Sequence, residues 1–327
     1  MSVNMKGNWE PVIRIPTGLW SLDNIVLSDS EGVGMPMKSF VELYGFPESG
    51  KSSLAYYVAG KVTGQGTVVI ADLEANCNPV FVQRSLETAG FQGDVELLDF
   101  LDKKGELRPH EKILKELANK ISDPDVGCMV LDSIGIITPI SERESKGYGQ
   151  ARVGQRGKVM ADWSRDIVAW LRAAKRPNLI IGINHALPPI GGQGYIAPGG
   201  ETKNFAANAR LRMWRTENFE GGIFVAKVKA EKLKYGGVSK RRIGHICIIP
   251  EWGVSPDLSA MFDCFELGLA ERSTTVKIGK KSLGYLEKTL FKAAVEGKHA
   301  KFEPFYELLS ELDLESMYGL SDEEEEE

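Results

Sequence analysis

The eight residues GFPESGKS at 45–52 restrict the fold more than any other stretch of the chain. They fit the pattern G-x-x-x-x-G-K-[ST], with Gly45, Gly50, Lys51 and Ser52 at its required positions and Phe46, Pro47, Glu48 and Ser49 between them. A compact β run, SFVELYG at 39–45, precedes the loop, and GKSSLAYYVAGKV at 50–62 opens a helix directly after it, with Ser53 in the first turn. Strand, loop and helix in that order let backbone N–H groups turn inward around a β-phosphate, while the helix N-terminus adds its positive end. Lys51 is then placed to reach β- and γ-phosphates, and the Ser52 hydroxyl to take Mg²⁺. Binding of ATP with Mg²⁺ is the expectation.

The remaining pattern predicts what surrounds that loop. GTVVIAD at 66–72, VELLDF at 95–100, GCMVLDS at 127–133 and NLIIGINH at 178–185 read as strands. NPVFVQRSLETAG at 78–90 and PHEKILKELANKI at 109–121 carry helical apolar spacing. Alternation of this kind predicts an α/β fold, a mostly parallel central sheet flanked by helices on both faces. After Arg210 the segments LRMWRT, GIFVAKVKA and GHICIIPE read as further strands. The expected organisation is a short lead at 1–15, with a possible subunit-contact strand at Val12–Ile15, and an ATPase core at 16–255. A small C-terminal subdomain at 256–309 and an acidic, disordered tail at 310–327 complete it.

Asp132 ends the apolar run CMVLD, where a carboxylate beside the phosphate loop would hold Mg²⁺. Ser133 would orient a water or cap the turn. Asp72 and Glu74 both fall at a neighbouring strand tip, where one of them could align the attacking water or form a structural ion pair; position alone does not separate them. Two stretches break the strand–helix rhythm. SERESKGYGQARVGQRGK at 141–158 is polar and glycine-rich and carries Arg143, Arg152, Arg156 and Lys158. ALPPIGGQGYIAPGG at 186–200 is uncharged, with five glycines and three prolines. Structureless stretches of this length inside a compact domain are usually functional or disordered.

Charge is unevenly spread. The net charge is −5, but residues 310–327 hold nine acidic groups and no basic one, so the rest of the chain stands at +4. Such a tail either solubilises or competes with nucleic acid for a basic groove. The four cysteines, Cys77, Cys128, Cys247 and Cys264, match no zinc cage or disulfide framework and are expected as free thiols. No apolar run approaches a membrane span and the first residues lack a leader pattern, so a cytoplasmic protein is expected, or one acting in a host cytoplasm if phage-encoded.

Taken with TGLWSLD at 17–23, ADLEANCNPVFV at 71–82, LDSIGIITPISERES at 131–145, INH at 183–185 and GGETKNFAANARLR at 199–212, the chain resembles the RecA family of homologous recombinases. The resemblance runs over roughly residues 15–235 and implies a RecA-like P-loop ATPase core. It implies that Glu74 activates water, that Phe81 stacks near adenine, and that Asn184 and His185 sense the γ-phosphate. It also implies that 141–158 and 186–200 are DNA-binding loops, in which Arg143, Arg152, Arg156 and Lys158 meet phosphates and Ile190, Tyr195 and Ile196 wedge between bases. Phe205 would contact a neighbouring subunit, and Lys229 and Lys232 would reach the neighbour's nucleotide. The implied activity is DNA-dependent ATP hydrolysis by a helical filament on single-stranded DNA that pairs with homologous duplex, aided by single-stranded-DNA-binding or loader proteins. An accessory ATPase without strand exchange and a ring-forming DNA motor are the competing readings. Three departures are expected from the resemblance: His185 in place of the family's glutamine, Asn78 in place of its adenine-side acid, and an N-terminal helix expected to be missing or very short.

Overall fold

A computed structural model describes residues 12–29, 32–98, 100–101, 104–106, 108–137, 155–187, 195, 197–198, 200–234, 242–273, 275–279, 281–284 and 287–312. The core is a nine-stranded sheet. Its parallel part comprises β3 (Ser39–Gly45), β4 (Thr67–Asp72), β5 (Asp94–Leu98), β6 (Val126–Asp132), β7 (Leu179–His185) and β8 (Ala209–Asn218). β9 (Phe224–Leu233), β10 (Ile243–Ile249) and β11 (Gly253–Ser255) extend it antiparallel, in the order β11-β10-β9-β8-β3-β7-β6-β4-β5. β3, which carries the loop, therefore lies inside the sheet between β7 and β8. β1 (Arg14–Ile15) pairs within the chain with β2 (Met35–Pro36).

The apolar runs are continuous because both faces are covered. Val41, Leu43, Val68, Ile70, Cys128 and Val130 point to one face, against α1 (Lys51–Thr63) and α2 (Pro79–Glu87). Their alternates Phe40, Val69, Ala71, Met129 and Leu131 point to the other, against α3 (His110–Lys120) and α4 (Gln155–Ala173). Period-2 alternation with both sets apolar is the mark of a strand buried on both sides. The sequence reading named no helix here and left residues through 158 as loop, yet α4 starts at Gln155. Its buried Met160, Trp163, Ile167 and Leu171 follow the helical spacing that the preceding arginines and glycines obscured.

A third cluster packs Val225, Cys247 and Ile249 against Met261, Phe262, Phe291 and Phe305. These last come from α6 (Pro256–Glu266), α7 (Glu287–Val295) and α8 (Glu303–Ser310), α5 being Gly200–Ala206. Strands β12 (Ala270–Glu271), β13 (Lys277–Ile278) and β14 (Lys281–Ser282) form a small separate sheet. The TGLWSLD segment serves packing: the buried Asp23 carboxylate accepts from Thr17 N, Thr17 Oγ1 and Gly18 N at 2.8–2.9 Å. All four cysteines are free, and among the described residues no helix is long and apolar enough to cross a membrane.

Candidate nucleotide site

The loop closes where β3 ends and α1 begins. Gly50 takes φ +86°, and a Cβ there would lie 2.0 Å from Ile248 Cδ1, so the position needs glycine for both conformation and space. A Cβ on Gly45 would lie 2.2 Å from the Met213 carbonyl oxygen. Ser49 Oγ donates to Phe46 O at 2.8 Å and braces the loop across its own width. Lys51 is buried, and its Nζ donates inward to Phe46 O at 2.6 Å. Burial pushes its ammonium below the usual value, against the opposing pull of Asp132 and Glu74.

The tips of β6 and β4 face this lysine. Asp132 Oδ2 accepts from Ser52 Oγ at 2.7 Å and from Tyr56 OH at 3.3 Å. Burial raises the Asp132 carboxyl; the Ser52 hydrogen bond works against that rise and the nearby Glu74 charge adds to it. Ser52 and Asp132 are the pair that could hold a divalent cation. Among the described residues no group of three or more His, Cys, Asp or Glu could hold a metal alone. That suits Mg²⁺, which takes one or two protein oxygens and completes its shell with phosphate and water.

Asp72 and Glu74, both of which line the site, differ in their hydrogen bonding. Asp72 is spent on the turn: Oδ1 accepts from Glu74 N at 3.2 Å and Asn76 N at 3.3 Å, and Oδ2 from Cys77 N at 2.7 Å. That Asx-type turn sends the Glu74 side chain over the site. Glu74 Oε1 accepts from Ser133 Oγ and lies 2.9 Å from His185 Nε2. Burial alone would raise the Glu74 carboxyl; the hydrogen bonds from Ser133 and His185, with the Lys51 charge, hold it below its usual value.

A cavity of about 310 Å³ brings together Lys51, Ser52, Glu74, Phe81, Asp132 and His185. A second, of about 370 Å³, shares Glu48, Lys51, Ser52 and Phe81 with it and continues over Ser53, Phe224, Ile248, Pro250 and Arg215. Asn78, at the position of the missing acid, caps α2, accepting at Oδ1 from Val80 N at 3.0 Å and Phe81 N at 3.3 Å. Phe81 turns its edge to Tyr56, with centroids 6.2 Å apart.

Other expected residues lie elsewhere. Asn184 is fully buried and lines neither cavity. Alternation along β7 aims Ile183 and His185 at the site and Asn184 away from it. Lys229 and Lys232 on β9 also lie outside both cavities, and Lys232 Nζ donates to Asn204 O at 2.7 Å and Phe205 O at 2.9 Å, closing the end of α5. Phe205 is 75% exposed. Arg143, Arg152, Ile190 and Ile196 lie outside the described residues, as does the side chain of Arg156; Lys158 is exposed on α4. Tyr195 sits edge-on to Phe46 of the phosphate loop, with centroids 4.7 Å apart, and Arg212 lies 4.8 Å above its ring.

Sequence reasoning missed one node. Glu42, completely buried in β3, accepts from Lys203 Nζ, from Arg210 Nε at 2.6 Å and from Asn184 Nδ2 at 2.8 Å. Burial works to raise its carboxyl, but the Lys203 and Arg210 charges and the Asn184 bond bring it below its usual value. A lone acid inside the apolar run SFVELYG was the available signal, since a buried charge requires partners.

The chain is similar to known proteins over about two thirds of its length or more. The family model of the RecA N-terminal domain matches residues 4–241. Among curated relatives, Protein RecA of Lactiplantibacillus pentosus is 29% identical over 228 residues, covering 68% of this chain and 57% of the relative. Protein RecA of Listeria welshimeri is 27% identical over 242 residues, covering 72% of this chain and 66% of the relative. The chain thus spans less than two thirds of the length of these relatives. A crystal structure of the RadB recombinase is similar with a TM-score of 0.48 and 18% identity, over 68% of this chain and 92% of that one.

Proposed function

We propose, from the premise that this chain belongs to the RecA family, that it is a DNA-dependent ATPase. In this reading it forms helical filaments on single-stranded DNA and pairs that strand with homologous duplex. The observation that carries the proposal is the placement of Glu74. Its carboxylate is held ionised by Ser133 and His185 in the cavity that also contains Lys51, Ser52 and Asp132.

Phosphoryl transfer asks for positioning and charge stabilisation more than for covalent help. The loop N–H groups and Lys51 would bind the phosphates, with Lys51 exchanging its contact with Phe46 O for them. Ser52 and Asp132 would hold Mg²⁺, which supplies charge neutralisation when bound. Glu74 orients the attacking water and accepts its proton; His185 and Ser133 fix its direction. The base end fits the second cavity, against Phe81, Phe224 and Pro250. Arg143, Arg152, Arg156 and Lys158 would meet DNA phosphates, with Ile190, Tyr195 and Ile196 between bases. Lys229 and Lys232 would complete a neighbour's site, Lys232 by leaving the end of α5. The proposed setting is the cytoplasm, or a host's, away from membranes, with single-stranded-DNA-binding or loader proteins as partners.

The test is ATP turnover with single-stranded DNA. Glu74→Gln should lower kcat about a hundredfold or more while ATP still binds, and Lys51→Ala should abolish turnover. Wild-type rates in either variant would sink the assignment. A second reading, a RecA-like accessory ATPase without strand exchange, draws on His185. An imidazole in place of the family's glutamine, already bonded to Glu74, alters how the nucleotide site signals outward.

A further inference from the structure

Asn184 uses every hydrogen-bonding group its amide has. A neutral carboxamide offers two N–H donors and one carbonyl oxygen. Here Nδ2 donates to Glu42 Oε1 at 2.8 Å and to Pro198 O at 2.8 Å, and Oδ1 accepts from the His185 N–H at 2.9 Å. The direction of the amide is not arbitrary. The ionised Glu42 carboxylate only accepts, so Nδ2 must face it, and Oδ1 must then face His185. Glu42 is itself held in place by Lys203 from α5 and Arg210 from β8. One buried side chain thus meets the residue whose ring holds Glu74 and a carbonyl fourteen positions further along the chain.

We infer that Asn184 is a positioning residue, whose buried amide, oriented by Glu42, fixes His185 against Glu74 and ties Pro198 to the same point. This departs from the role implied by resemblance, in which Asn184 meets the γ-phosphate. It rests on the reading of Glu74 as the group that orients water. His185 precedes the stretch 186–200 and Pro198 lies near its end, and both are bonded to this one amide.

The test reverses the polarity of the Glu42–Asn184 bond. Asn184→Asp is isosteric but sets an acceptor against an acceptor. Glu42→Gln in the same chain restores the net charge and lets a donor face the introduced carboxylate, while Lys203, which shares Glu42 Oε1, and the Pro198 carbonyl stay mismatched. Asn184→Asp should lower kcat roughly tenfold or more with the KM for ATP moved less than about twofold, the pattern of a misplaced catalytic group. Adding Glu42→Gln should recover part of that loss, as expected for two residues that share a bond. A role in filling space alone predicts no recovery. Amide exchange supplies a readout in the unaltered protein, because the His185 N–H should be protected by Asn184 Oδ1. That measurement stands even where Asn184→Asp does not fold. Wild-type kcat in Asn184→Asp, failure of Glu42→Gln to rescue, or exchange of the His185 amide at the free rate would each overturn the inference. Failure of the Glu74 reading shows separately, as turnover retained in Glu74→Gln.

Discussion

Replacing Lys203 with methionine tests the buried node at β3. The two side chains are alike in length, so the change removes an ammonium and little volume. Lys203 and Glu42 are both fully buried, so neither exchanges its partner for water. Removing one member of a buried ion pair typically costs 3–5 kcal/mol, because the other charge is left uncompensated. Arg210 Nε and Asn184 Nδ2 stay on Glu42 at 2.6 and 2.8 Å, so some compensation remains. The expected cost therefore lies at the lower end, about 3 kcal/mol. With a urea slope of about 3 kcal/mol/M, the unfolding midpoint should fall by about 1 M at unchanged slope. Adding Glu42→Gln should recover part of this, since an uncharged pair carries a smaller desolvation penalty. A loss below about 1 kcal/mol, the range of surface ion pairs, would refute the claim that this pair is desolvated and structural.

Three further outcomes follow from the same geometry. Gly50→Ala should abolish nucleotide binding, measured by fluorescent ATP-analogue titration, because the added Cβ meets Ile248 in a left-handed backbone; retained affinity would show that the loop is built differently. The Glu42 carboxyl is depressed in the folded chain, so its contribution to stability is complete above its unfolded value of about 4.3 and is lost as pH falls through the lower folded value. Urea unfolding across that acid range should therefore show a shallower fall in stability for Glu42→Gln than for the wild type, and parallel profiles would contradict it. Deleting residues 322–327, which carry only acidic side chains, should tighten binding to single-stranded DNA, most visibly at low salt. Equal affinities in a salt-titrated binding assay would leave the tail without a part in DNA competition.

The frame of the molecule was legible wherever the physics is local. The strand that ends at Gly45 and the helix that starts at Lys51 both follow from the loop motif and its flanks. The sequence alone put Glu74 and Asp132 at the β4 and β6 tips near Lys51, because parallel strands bring their C-terminal ends to one edge. What was not legible depended on contacts between distant residues. Asp72 and Glu74 looked equivalent until backbone N–H groups claimed Asp72. Asn184 looked like a nucleotide ligand beside His185, yet consecutive residues of a strand face opposite ways and Glu42 waits on the far side. Glu42 itself read as part of an apolar strand, since its partners Lys203 and Arg210 stand 161 and 168 positions away.

Whether ATP turnover at Lys51 and Glu74 drives pairing of DNA strands is read by a strand-exchange assay. Circular single-stranded DNA, homologous linear duplex, ATP and Mg²⁺ are incubated with the protein, and joint molecules are resolved on a gel. Joint molecules should form that require homology and ATP and that vanish with Lys51→Ala. Filaments and DNA-stimulated ATP turnover without joint molecules would contradict it and leave the accessory-ATPase reading in its place.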